Sequence, residues 1–452
     1  MATIVTRASK GTALTYNEVD ANFTNLNSDI IAKAKLTRLA AELHAEARAA
    51  RVSNPRNNGN TAVPPTVTVS ASAPASPYVA FPSAVSSAGS FLAYCAVTGG
   101  WVGYNSGYIF PLGATRTIGV ATGGGSGNAY QTAHRVIYHT NAAVHYVLFQ
   151  SSKLVDQRLL VDGQYTGITI LATAVNTLQY VKIDFGSASY IGRRIEFEIC
   201  GGLDSVGSSN LVQFKGWYLA PTDKIWAPEK GLRVGVFGDS LTYGPVYAQV
   251  GATQVGNGWA RILGDWLGID DLMQSGLSGT GWLWQAGGTF PNMLDRVTDI
   301  TGNSLDLCII AQGLNDILNI GGTVGSITVS NTTIQARVTE VLTAIRAANP
   351  NLPIIVLGPW QVSNNAIYTT GEAAISAGVT AMADPLIAFV PTVSTSWRSG
   401  TGKVTATTGD GNADWMACSD NTHWTLNGHS YVGQRAVREV LAAVDSMIDA
   451  LA

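Results

Sequence analysis

Charge is scarce in this chain: 13% of its 452 residues are charged, and the formal net charge is -3. That charge argues against a nucleic-acid-binding protein, which would show a basic stripe. No apolar run approaches the ~18 residues that cross a bilayer, which argues against membrane insertion. The N-terminal stretch MATIVTRASKGTALT has no charged-then-apolar signal pattern. The expectation is a protein made and kept in a cytoplasm, or one leaving by a route other than secretion. Cysteine is nearly missing. Cys95, Cys200, Cys308 and Cys418 are scattered, without a CxxC pair or metal-type spacing, so no disulfide framework is expected. Cys308 lies in an apolar run and reads as a small hydrophobe, and Cys418 as a buried bystander. No metal-ligand cluster or nucleotide loop is visible, so no cofactor is expected. Nothing repeats with a period of about 20 to 50 residues, which excludes a solenoid or a long β-helix.

What the chain does have is apolar substance. Hydrophobic residues make up 46% of it, enough for real cores. Its length gives a soft prior of about three domains. The stretch that organises the rest is Leu232 to Tyr243, LRVGVFGDSLTY. Leu232, Val234, Val236 and Phe237 form a buried-strand pattern that stops at Gly238-Asp239-Ser240-Leu241. A serine just past the carboxyl end of a buried strand sits where open α/β sheets place their ligands. Its hydroxyl needs a base, and the base an orienting acid. Asp420-Asn421-Thr422-His423 supplies both. Between them, Gly313-Leu314-Asn315-Asp316 ends another apolar run, Leu305 to Ile310.

These blocks, in this order, resemble the SGNH (GDSL-type) hydrolases over roughly the last half of the chain. The resemblance implies a serine esterase with Ser240 as nucleophile, His423 as base and Asp420 as orienting acid. It also implies an oxyanion hole of the Ser240 and Gly279 backbone N–H groups and the Asn315 amide. Gly279 is the best candidate for the family's glycine block. The histidine is followed by Trp424 where the family usually has proline, which leaves the cleft shape open. Trp282, Trp284 and Trp424 are candidate substrate-binding residues, since aromatic faces near a serine esterase can stack on sugar rings; buried core tryptophans are the alternative. Each serine, histidine or asparagine also has a duller reading, as helix cap, surface turn or loop amide. Asp239 reads as a structural hydrogen-bonding residue, Asp316 as an orienter of the Asn315 loop, and His429 as a helix-start residue. His134, His139 and His145 read as structural.

The domain is expected to span 229–452 as an α/β fold with helices on both faces of a parallel sheet. Its strand order should be flavodoxin-like by resemblance, and Gly238 to Thr242 lacks the last glycine of a G-x-S-x-G elbow. Trp259 to Leu267, Ile334 to Ala348 and Gly428 to Leu451 read as helices; Asp306 to Ile310 and Leu352 to Leu357 read as strands.

Upstream, residues 77–228 alternate in short runs split by Gly, Asn and Asp. They predict an all-β sandwich of jelly-roll type. Arg194 to Ile199 is a clean period-two strand with its glutamates outward. Asp162-Gly163 signals a hairpin. Such a module can bind carbohydrate by fold-level analogy, or serve as a rigid spacer. Residues 52–76, rich in Ser, Asn, Thr, Ala and Pro, read as a linker.

Residues 1–51 read as a short helical segment. Thr15 and Glu18 form a capping box, and Val19, Phe23, Leu26 and Ile30 make one stripe, with Leu36, Leu39 and Leu43 on a second helical stretch. A narrow stripe there has little to bury against in its own chain, so copies of itself or a socket on a larger assembly would satisfy it. The run from Lys10 to Phe23 is similar to the N-terminal segment of tailed-phage fibre and tailspike proteins. That resemblance implies a virion-attachment end, usually trimeric, with virion and baseplate proteins as partners. Joined to the hydrolase blocks, it implies a phage tail esterase that deacetylates a bacterial surface polysaccharide, capsule or O-antigen, during host attachment. The rivals are an SGNH lipase or acyl esterase without polysaccharide specificity, and a receptor fibre that binds glycan without catalysis.

Overall fold

The computed structural model describes residues 12–53, 64–84, 86–105, 108–113, 134–151, 156–171, 174, 176–199, 212–244, 255–285, 290–363 and 365–451. Cys200 lies outside them, as do residues 1–11, including Lys10 and Gly11 of the N-terminal run. The chain opens on one long helix, α1 (Tyr16–Ser53). Thr15 and Glu18 close its capping box: the Glu18 carboxylate accepts the Thr15 N–H at 2.7 Å, and the Thr15 hydroxyl accepts the Glu18 N–H at 3.3 Å. Two apolar stripes ride on this helix. Ala32, Leu36, Leu39, Ala40 and Leu43 are buried, whereas Tyr16, Phe23, Leu26 and Ile30 are exposed. At about 100° per residue the two stripes point roughly 140° apart around the axis. The second stripe therefore does find a partner within its own chain: it docks on the C-terminal domain, correcting the expectation that it has little to bury against.

Two antiparallel sheets follow, packed face to face. The first runs, in spatial order, Thr66–Ser70, Gln179–Asp184, Val144–Ser151, Val212–Leu219, Tyr108–Gly113 and Trp101–Asn105. Thr66–Ser70 lies inside the segment expected to be a linker. It pairs in full register with Gln179–Asp184, and its TVTVS alternation is that of a half-exposed edge strand. The second sheet contains β1 (His134–Thr140), β2 (Asp156–Val161), β3 (Gln164–Leu171) and β4 (Arg193–Ile199), in spatial order β1-β4-β2-β3, with β3 at one edge. Inward residues of both sheets make one core, with Tyr138 edge-on to Trp217 at 5.2 Å and Phe149 against Phe197 at 6.2 Å. Asp162 and Gly163, both at positive φ, turn β2 into β3, as a two-residue hairpin with Asp-Gly requires. His145 is buried against the Tyr138 hydroxyl, and burial lowers its pKa to about 3. His139 stacks on Trp226.

The glutamates of β4 point away from the sandwich core, yet not into water. Glu196 and Glu198 are 2% and 0% exposed, because the C-terminal domain covers them. That domain is a five-stranded parallel sheet: β5 (Arg233–Gly238), β6 (Asp271–Gly276), β7 (Leu307–Ala311), β8 (Ile354–Leu357) and β9 (Ile387–Val390), in spatial order β6-β5-β7-β8-β9. Numbered within the domain this is 2-1-3-4-5, the flavodoxin-like order. Alternate residues feed two cores. Val234, Val236, Leu307 and Ile309 face α1, α2 (Trp259–Trp266) and the terminal helix; Phe237, Cys308 and Ile310 face α3 (Asn331–Ala348) and α4 (Ala366–Thr380). The terminal helix α5 spans Leu426–Ala450.

Candidate active site

The site sits on the carboxyl ends of β5, β6 and β7, at the point where the strand order reverses. β5 ends at Gly238. A Cβ there would collide with Thr242 and with the Ala311 carbonyl, so only glycine lets the chain turn tightly into the short helix Ser240–Tyr243. Asp239 caps that helix by accepting the Leu241 N–H at 2.9 Å. Burial pushes the Asp239 carboxyl up to about 7, against that N–H, with nearby Asp316 adding to the rise.

Ser240 lies 2.9 Å from His423: its Oγ faces the histidine Nε2. On the other side of the ring, His423 Nδ1 lies 2.6 Å from Asp420 Oδ2. A carboxylate only accepts, so Nδ1 carries the proton and Nε2 is left to accept from the serine hydroxyl. Asp420 Oδ1 takes the backbone N–H groups of Thr422 and His423, both at 3.0 Å. Partial burial works against the Asp420 charge, but the His423 side chain and these N–H groups outweigh it and hold its pKa below the ordinary carboxylate value.

The loop that presents acid and base is clamped from below. Asn421 sits at positive φ, and its backbone carbonyl and side-chain oxygen accept from the buried guanidinium of Arg398 at 2.9 and 2.6 Å. Its amide donates to the Val362 carbonyl at 3.1 Å. Arg398 carries no recognisable motif, and only the fold shows it beneath this loop.

Gly279, at φ +72, follows β6, and Asn315 is the second residue of the short helix after β7, Leu314–Leu318. The Asn315 amide donates to the Thr280 carbonyl at 2.8 Å, which ties it to the Gly279 loop and leaves its second N–H for a ligand. Asp316 is fully buried and accepts the N–H groups of Trp282, Leu283 and Trp284 at 2.7 to 2.9 Å, so it anchors the loop after Gly279. Arg296 ties β5 to β6 by donating to the Gly238 and Ser275 carbonyls.

Two of the three candidate stacking residues are corrected. Trp282 is 0% exposed, its indole N–H spent on the Gln312 carbonyl, and Trp424 is 3% exposed in a cluster with Trp360 and His429. Neither offers a face to a sugar; Trp284 is half-buried. Cys418 is buried, its thiol pushed up to about 11 by burial, and its backbone N–H closes the turn on the His423 carbonyl. His429 is buried, and its pKa falls to about 3 for that reason, helped by the nearby His423. Among the described residues no cluster of three or more His, Cys, Asp or Glu is arranged for a metal.

No curated protein sequence matches the chain. A family two carbohydrate esterase from Clostridium thermocellum, solved with cellohexaose, shares the fold at 15% identity and TM-score 0.54, over 78% of this chain and 100% of its own. An acetyl xylan esterase (Est2A) from Butyrivibrio proteoclasticus does so at 12% identity and TM-score 0.53, over 82% of this chain and 98% of its own. The salicylyl-acyltransferase SsfX3 aligns at 13% identity and TM-score 0.54, over 77% of this chain and 94% of its own. These shares exceed what the parallel-sheet domain alone can fill, so the shared fold takes in the antiparallel sheets too. Residues 236–431 match the model of the GDSL-like Lipase/Acylhydrolase family.

Proposed function

We propose that this chain is a serine esterase that removes acetyl groups from a bacterial surface polysaccharide. The observation that carries the reading is the continuous hydrogen-bonded chain from Asp420 through His423 to Ser240. Ser240 Oγ attacks the acetyl carbonyl while His423 Nε2 takes its proton. The resulting oxyanion is held by the N–H groups of Ser240 and Gly279 and the free Asn315 N–H, donors worth ~3 to 4 kcal/mol each. Collapse expels the sugar hydroxyl with the proton from His423, and water then releases acetate from the acyl-serine by the same steps.

The polysaccharide part draws on the carbohydrate esterases that share the fold, and on the N-terminal resemblance. That resemblance, with the exposed stripe of Tyr16, Phe23, Leu26 and Ile30, supports a phage tail fibre or tailspike in which copies of the chain trimerise and attach to virion proteins. The test is acetate release from a panel of O-acetylated capsule and O-antigen polysaccharides, wild type against Ser240→Ala. Release by wild type alone is expected. Turnover of long-chain acyl esters in preference to every polysaccharide would favour the lipase reading. Glycan binding unchanged by Ser240→Ala, with no acetate from wild type, would favour a binding fibre.

A further inference from the structure

Between the sandwich and the hydrolase domain lies a cleft of about 440 Å³, apart from the triad itself. That volume is within the ~300–1,000 Å³ range of small-ligand pockets. Its sandwich wall is the edge strand β3, and the wall is recessed by design. The β2–β3 pairing breaks between Arg158 and Leu160, and Gly167 sits there at φ +77 with nothing within 4 Å of where a Cβ would stand. A bulge of this kind on an edge strand recurs beside functional sites.

Charge decides what the cleft takes. The interface around it holds Arg135, Arg158, Arg194 and Arg261 against Glu196, Glu198, Asp265 and Asp270, each bridged to a partner of the opposite sign. Arg158 also donates to the Asn257 side chain at 2.7 Å and lies over the Tyr165 ring at 4.6 Å. The charges balance, so a charged ligand would lose its hydration without gaining a counter-ion. What remains to line the space is the hydroxyl and amide chemistry of Thr169, Asn427 and Ser430, next to the apolar Ile168, Ile262 and Leu426. Polar groups alternating with apolar ones suit a sugar ring, with hydroxyls at its edge and C–H groups on its face. The cleft is also close to the chemistry, since Leu426 follows His423 by three residues, a reach of about 10 Å at most.

We infer that this cleft binds an uncharged pyranose unit of the same polymer whose acetyl ester is presented to Ser240. The sandwich then belongs to the substrate site jointly with the catalytic domain, and is neither a separate carbohydrate module nor a spacer. The inference rests on the carbohydrate-esterase reading.

The test compares acetate release from oligosaccharides cut from the O-acetylated capsule or O-antigen polysaccharide that the panel identifies with that from the acetylated methyl glycoside of its acetylated residue, using the full chain. Wild type is expected to have a KM about tenfold lower for the oligomer, the factor that ~1.4 kcal/mol of added contact gives. Thr169→Trp, and separately Ser430→Trp from the opposite wall, should raise the oligomer KM to the monomer value with kcat nearly constant, each variant checked for an unchanged melting temperature. Three results overturn the inference: no preference for the oligomer in wild type, a preference that survives both folded variants, or hydrolysis of p-nitrophenyl acetate with no turnover of either sugar. Failure of wild type on p-nitrophenyl acetate itself overturns the esterase reading instead.

Discussion

Ser240, His423 and Asp420 owe their meeting to two short pieces of backbone, and most of what supports them is invisible until the chain is folded. The serine and histidine could be read from GDS and DxxH because each block keeps its chemistry within four residues. Arg398 could not, since it reaches the Asn421 turn only through tertiary packing. Replacing it with alanine frees that turn and should lower kcat by about 10²-fold, the effect of a misplacement near 1 Å, with KM little changed. Arg398→Lys, which keeps the charge but not the fork, should recover only part of the loss; a full wild-type kcat in the alanine variant would show that the turn holds itself. Asp239 yields a prediction in pH. Its pKa is raised to about 7 in the fold against ~3.9 unfolded, so its contribution to stability is complete below about pH 4 and is lost as pH rises through 7. Asp239→Asn keeps the capping oxygen but cannot titrate, so the drop in melting temperature between pH 5 and pH 8 should shrink in the variant. An equal drop in both proteins would assign the pH dependence to other groups.

Among the elements, α1 was half legible. Its two stripes show in the sequence as Val19 to Ile30 and Leu36 to Leu43, but nothing local reveals one continuous helix or a docking partner hundreds of residues further on. The docked stripe joins the same core as α5, and His44 lies 3.0 Å from Asp445 across that contact. Leu36→Ala or Leu43→Ala, both 0% exposed, should cost about 2–5 kcal/mol in denaturant unfolding. Phe23→Asp with Leu26→Asp should leave the monomer fold intact and shift the sedimentation of a trimer to that of a monomer, the outcome that the trimer proposal requires. The strand Thr66–Ser70 was missed for a different reason. Its Thr and Ser content mimics a linker, and an exposed edge strand buries too little to announce itself.

At the scale of the whole molecule, the order of the parallel sheet followed from the family resemblance, while the union of the two domains did not. Period two placed Glu196 and Glu198 on the outer face of β4, but nothing in it reveals that another domain covers that face. Instead Arg135 gathers both glutamates and Asp265 in a buried network, and such networks are costly to break once one partner is lost. Asp265→Ala takes the bridging carboxylate from buried Arg261 and one of three from Arg135, and should cost about 3–5 kcal/mol. In calorimetry wild type should unfold in one transition and the variant in two, one per domain; a single transition at an unchanged temperature in the variant would mean that the network does not couple them.

The central claim, that Ser240 is a nucleophile activated by His423, is tested most directly by labelling the folded protein with a fluorophosphonate and mapping the adduct by peptide mass spectrometry. One equivalent on Ser240, absent in Ser240→Ala and greatly slowed in His423→Ala, is the result this account predicts. No adduct on folded wild type, or one on another residue that persists in Ser240→Ala, would contradict it.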